Sequence, residues 1–173
     1  GREGGKGRPG DARQVRAGMW LGESTHTLDD KGRLSIPRRL LAGQTLDDSG
    51  RMAFIVTRGF EGCLFLFTEK AFKSAVERLV TQPFAGAEAR NMQRQFFSAS
   101  ERIELDEKNR VSLPERLVKA AGLEREVVVV GVMERAEIWP KARWEAFQRE
   151  READFEQLDR VLCPERPSGA AGA

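Results

Sequence analysis

Apolar and polar positions alternate along some short stretches of the chain and recur at helical spacing along others. In Arg33-Leu34-Ser35-Ile36 and Arg110-Val111-Ser112-Leu113 every second residue is apolar. Each reads as a strand with the aliphatic side chains on one face and the arginine and serine on the other. FIVTRGFEGCLFLFTEKAF, from Phe54, and VVVVGVMERAEIWPKARW, from Val127, each read as strand, tight turn, strand and the start of an aromatic-anchored helix. Phe72, Ala75, Val76 and Leu79 fall at i, i+3, i+4 and i+7, one apolar helix face. A further helix is expected over Glu88 to Phe97, and Trp144, Phe147, Phe155, Leu158 and Leu162 trace a looser stripe along a highly charged C-terminal helix.

The pattern repeats. LDDKGRLSIPRRL begins at Leu28 and LDEKNRVSLPERL at Leu105, 77 positions later, with 8 of 13 positions identical. Asp30-Lys31-Gly32 and Glu107-Lys108-Asn109 suit a type I turn with a bulge, whose third residue takes a left-handed conformation that Gly adopts freely and Asn tolerates. Pro37 and Pro114 end the strands that follow and suit the opening of a short helix. Aligning Phe67 with Trp139 and Phe72 with Trp144 changes the offset to 72, a shorter connection ahead of the second hairpin, where length changes are tolerated. The expected organisation is a basic extension over 1–18, a first half over 19–82, a connecting helical segment over 83–97, a second half over 98–147, and a charged helix with a tail over 148–173. The extension and the tail have too few large apolar side chains to offset the entropy of ordering, and Met19 is a candidate natural start. Each half has few strands and would be poorly covered alone, so the two are expected to interlock about a shared pseudo-two-fold core.

Composition narrows the function. The chain of 173 residues has a formal charge of +2 and a pI near 8.7, so a nucleic-acid surface must come from local clustering. Cys63 and Cys163 have neither disulfide-framework nor metal-ligand spacing, which fits a reducing, cytoplasmic compartment. No apolar run approaches a membrane span. His26 is the only histidine, and no phosphate-binding loop, dinucleotide fingerprint or HExxH string occurs, so no enzyme, catalytic residue, metal site, cofactor or small-molecule substrate is expected.

MWLGESTHTLDDKGRLSIP, the FIVTRGFEGCLFLF hairpin, LDEKNRVSLPERL and the EVVVVGVMERAEIWPKARW ending together resemble the MraZ family of bacterial proteins, from Met19 to Phe147. Two D-x-x-G-R-type motifs in tandem, each followed by a strand and a proline, carry the resemblance, and the second departs from the pattern at Glu107 and Asn109. The resemblance implies a mainly β, α+β fold: a tandem of AbrB-like, swapped-hairpin halves forming a pseudo-dimeric β-barrel, assembled into a homo-oligomeric ring of about eight or more subunits. It further implies a nucleoid-associated transcriptional repressor that binds repeated elements in double-stranded promoter DNA. The targets would be the promoter of the division and cell-wall gene cluster and its own promoter. The DNA-contacting residues on this reading are Lys31, Gly32, Arg33, Arg38 and Arg39 of the first copy and Lys108 and Arg110 of the second.

Two roles for the motif arginines stay open and can coexist: contact with phosphates or base edges, or bracing of the turn by pairing back onto Asp30 or Glu107. Residues 28–40 carry four basic and two acidic side chains, net +2, whereas 105–117 carry three of each, so the first copy is the better partner for a polyanion. A ring-forming scaffold without a DNA target is the alternative, and it does not require that excess. Phe65, Phe67 and Trp139 are expected as barrel or subunit-interface packing, Trp20 as an interface residue, and Met52, Met92 and Met133 as core or interface filler.

Overall fold

A computed structural model describes residues 19–42, 44, 46–47, 49–80, 86–155, 157–158 and 162, without the side chains of 78 and 79. The expectations for the basic extension, Cys163, the tail and the Leu79 side chain lie outside the described residues. The chain divides after Pro140 into two compact units.

The first unit begins with β1 (Glu23–Thr27), β2 (Arg33–Ser35), α1 (Arg38–Leu41), β3 (Ala53–Arg58), β4 (Leu64–Thr68) and α2 (Glu69–Val80). It continues with α3 (Ala87–Ser98), β5 (Glu101–Glu104), β6 (Arg110–Ser112), α4 (Glu115–Ala121), β7 (Glu126–Val132) and β8 (Arg135–Pro140). Strand, short helix and hairpin thus occur twice in the same order, as the repeat requires, and α3 covers the helix expected at Glu88 to Phe97.

Six strands form one antiparallel sheet in the order β1-β7-β8-β4-β3-β5. Exchanging the copies and reversing this order returns the same order, so a pseudo-two-fold axis passes between β8 and β4. There Leu64 faces Ile138, and its equivalent pair Leu66 and Ala136 follows. The first strand of each copy has crossed over: β1 pairs with β7 of the second copy, and β5 pairs with β3 of the first. This is the swapped pairing expected for AbrB-like halves.

Among the described residues the remaining strands, β2 and β6, pair with each other as a separate two-stranded ribbon. The expected barrel is therefore not closed. A single bridge on each side, Leu28 to Leu34 and Leu105 to Val111, links the ribbon to the sheet edges β1 and β5. The bulged turns between β1 and β2 and between β5 and β6 provide the reason, because an extra residue in a left-handed conformation increases the local twist and breaks the ladder.

Alternation decides what enters the core. Leu34 and Val111 face inward at 0% exposure, with Ile36, Leu40, Leu113 and Leu117 around them and Phe54, Val56, Leu64, Leu66, Val127, Val129 and Ile138 from the sheet. Truncating one such leucine to alanine costs about 2–5 kcal/mol. On the other face an aromatic chain runs from Phe65 through Phe67 and Phe72 to Phe96, with ring centroids about 6 Å apart.

Several packing expectations change. Trp20 is 2% exposed and belongs to the core, its backbone bridged to Met133, so it is not available as an interface residue. Phe65, Phe67 and Trp139 are covered by the chain itself, in keeping with the first of the two packing roles expected of them. Met52 packs against the core, whereas Met92 and Met133 are exposed. The large apolar side chains left outside in this unit include Leu21, Phe60 and Met133.

In the second unit, α5 (Lys141–Phe155) carries a stacked Trp144 and Phe147 pair, while Phe155, Leu158 and Leu162 are exposed rather than forming a buried stripe.

Candidate nucleic-acid interface

The two motifs meet in the β2–β6 ribbon. Arg33 faces Ser112, Leu34 faces Val111, and Ser35 faces Arg110. Because Leu34 and Val111 point into the core, all four of Arg33, Ser35, Arg110 and Ser112 stand on the opposite, outward face. The turns are tied across the ribbon as well: the Ile36 amide donates to the Asn109 carbonyl at 2.9 Å and the Leu113 amide to the Gly32 carbonyl at 2.8 Å.

Each turn is built on its first acidic residue. Asp29 Oδ1 accepts the amides of Lys31 at 3.0 Å and Arg33 at 2.9 Å, and Oδ2 accepts Arg33 Nε at 2.7 Å. Asp106 repeats this with Lys108 and Arg110, each at 2.9 Å, but its Oδ2 takes both Nε and Nη2 of Arg110, at 2.9 and 2.8 Å. The arginines do brace their turns, but against Asp29 and Asp106 rather than Asp30 and Glu107. Gly32 at φ +69° and Asn109 at φ +56° occupy the expected left-handed position. The Arg33 backbone amide holds the Asp29 carboxyl below the ordinary carboxylate range, and the Arg110 side chain does the same for Asp106.

A third copy of the turn is present that the whole-motif comparison missed. LDDSGR, from Leu46, differs from LDDKGR at a single position, and the string itself is the signal. Asp47 Oδ1 accepts the amides of Ser49 and Arg51, both at 2.9 Å, the Gly50 amide donates to the Asp47 carbonyl at 2.9 Å, and Gly50 has φ +76°. The side chains part company there. Ser49 Oγ closes onto Asp47, Arg51 donates to Glu104 Oε2 at 2.6 Å, and Arg102 binds Asp47, Glu69 and Glu104. The turn therefore needs only Asp and a residue able to take positive φ. A lysine is not part of its construction.

That contrast isolates the groups left over for binding. Lys31 and Lys108 are exposed, and their ammonium groups have no partner among the described residues. Arg33 spends only Nε on Asp29, leaving both terminal amino groups, while Arg110 spends one of its two. Arg38 is exposed with no partner among the described residues.

Arg39 reaches back to the Leu21 carbonyl and Ser24 Oγ, both at 3.1 Å. Its counterpart Arg116 makes the equivalent contacts to the Ser98 carbonyl and to Glu101, also at 3.1 Å. The geometry is the same but the charge is not, since Glu101 neutralises Arg116 while Ser24 leaves Arg39 cationic. Arg38 likewise corresponds to Glu115, which pairs with Lys119. The first copy is the more basic side of the face, as the sequence count predicted. His26, hydrogen-bonded to Ser24 at 2.7 Å, has its basicity lowered by burial and then by Arg39.

Comparison with known proteins agrees with this architecture. The family model described as "MraZ protein, putative antitoxin-like" matches twice, over residues 19–95 and 96–162. Proteins named transcriptional regulator MraZ from Desulforamulus reducens, Moorella thermoacetica and Limosilactobacillus fermentum are each 41% identical over 140 residues, 81% of this chain and 94% of theirs. Two matched repeats and relatives aligned over nearly their whole length place this chain in the MraZ family.

Proposed function

We propose that the chain is a transcriptional regulator that binds double-stranded promoter DNA through the outward face of the β2–β6 ribbon and its two lysine-bearing turns. One observation carries this reading. Of three turns built alike, the two that the ribbon joins carry unpaired lysines, while the third replaces lysine with a serine bonded to its own aspartate and has its arginine neutralised by Glu104. A scaffold would have no use for that difference.

The contacts are divided by chemistry. Lys31, Lys108, Arg38 and Arg39 supply phosphate attraction, and Arg33, oriented by Asp29, can offer two parallel N–H groups to a base edge or a phosphate. Gly32 holds the turn backbone in place. The net excess on one subunit is small, so affinity rests on repetition: a ring of identical subunits on repeated promoter elements gains from linked sites. Exposed Leu21, Phe60 and Met133 offer apolar surface for subunit contacts. Repression of the division and cell-wall gene cluster, its own promoter included, is the regulatory role this reading implies.

The test is a gel shift on the protein's own upstream promoter at two salt concentrations, with fragments carrying one, two and three elements. We expect binding that weakens with salt and rises by about 10² or more from one element to two. Equal affinity for one and three elements would refute the assembled mode, and no binding at low salt would refute the DNA reading.

A further inference from the structure

The centre of the ribbon holds two residues that the function above leaves unused. Ser35 and Ser112 are exposed, lie on the same face as Arg33 and Arg110, and are diagonal to each other across the Leu34–Val111 pair. Neither hydroxyl has a hydrogen-bond partner among the described residues. Serine fits the position poorly on structural grounds, because solvent-facing strand positions favour β-branched or aromatic side chains and serine contributes little cross-strand packing. Yet serine stands there in both copies, while the inward positions beside it vary between Leu and Val and between Ile and Leu, and the turn residue between Gly and Asn.

A two-stranded antiparallel ribbon is one of the few protein elements that fits the major groove, which is about 12 Å wide. Its depth of entry is limited by the side chains at its centre. Two serines make that centre low and polar, with a hydroxyl able to donate and accept, between arginines that reach further out.

We propose that Ser35 and Ser112 are DNA-contact residues. Their hydroxyls hydrogen-bond the DNA, and their small size sets how closely the ribbon approaches it. This rests on the DNA reading of the face and adds residues and a mode of approach to it.

The test separates close approach from charge. The Ser35→Ala/Ser112→Ala protein removes both hydroxyls at nearly constant size, and Ser35→Lys/Ser112→Lys adds two positive charges with bulk. Both are titrated, with the parent and Arg33→Ala, against a labelled duplex of the protein's own upstream promoter, after circular dichroism and light scattering confirm parental fold and mass. The alanine pair should weaken binding about 10-fold, one hydrogen bond to DNA lost per residue. The lysine pair should also weaken it, despite the added charge. An alanine pair that binds like the parent, or a folded lysine pair that binds more tightly, overturns the proposal. Should the lysine pair fail to fold, the alanine pair decides alone. Weakening by Arg33→Ala with neutral serines would sink this inference and leave the DNA reading intact, whereas a parent that does not bind the duplex sinks both.

Discussion

At the scale of single residues, the turns show which positions are structural and which are free. Gly32 combines φ +69° with a carbonyl, that of Leu113, only 3.2 Å from where a Cβ would sit. Gly32→Val should therefore destabilise the protein by about 1–3 kcal/mol, whereas Gly32→Asn should cost less, because Asn109 already holds the equivalent conformation. Chemical denaturation of the two variants checks the order, and equal losses would refute it.

The aspartates make a second test. Asp29, Asp47 and Asp106 all have their folded-state pKa values held below the ordinary value, Asp47 most clearly through Ser49 and Arg51. A depressed carboxyl favours the folded state above its unfolded pKa, near 3.9, and the benefit is lost as pH falls through the lower folded value. Carboxyl chemical shifts followed by NMR should show these three titrating below the ordinary aspartate value of about 3.9, with turn stability flat at neutral pH and falling only in acid. Titration at or above 3.9 would contradict the clasp.

At the scale of elements, what was legible in the sequence was whatever is specified locally. The duplicated strands and helices, the left-handed turn residue and the inward face of Leu34 and Val111 follow from spacing and from the tolerance of Gly and Asn for positive φ. The choice of Asp29 over Asp30 as the clasp was not legible, because it depends on how the bulge brings the amides of residues two and four positions on toward one carboxylate. The ribbon was not legible either. Strands of three residues carry no signal for their partner, and β2 finds β6 only because the swapped pairing of β1 and β5 delivers both turns to one face. The burial of Trp20 likewise depends on a segment far away in sequence, the one around Met133.

That exchange has a consequence for each half. A fragment spanning 19–97 supplies β1 without β7 and β3 without β5, so it should be unfolded alone or should rebuild the two-fold as a homodimer. Sedimentation of the fragment returning a folded monomer would show that the copies do not depend on each other.

At the scale of the whole molecule, one turn, found three times among the described residues, has been put to different uses. The pseudo-two-fold axis places two lysine-bearing turns on a common ribbon, while the third is absorbed into the ion pairs of Arg51 and Arg102. The axis is only geometric. Arg38 and an un-neutralised Arg39 on one side, against Glu115 and Glu101 on the other, give the face a direction, so the copies should contribute unequally to a bound DNA element. The most direct measurement is an equilibrium titration of the promoter duplex, and of a shuffled duplex of the same composition, with the parent, Arg33→Ala and Arg110→Ala. The parent should prefer the promoter, Arg33→Ala should lose about 10-fold or more of its affinity for it, and Arg110→Ala should lose less. A parent that binds both duplexes alike, or an Arg33→Ala protein that binds the promoter as the parent does, would contradict it.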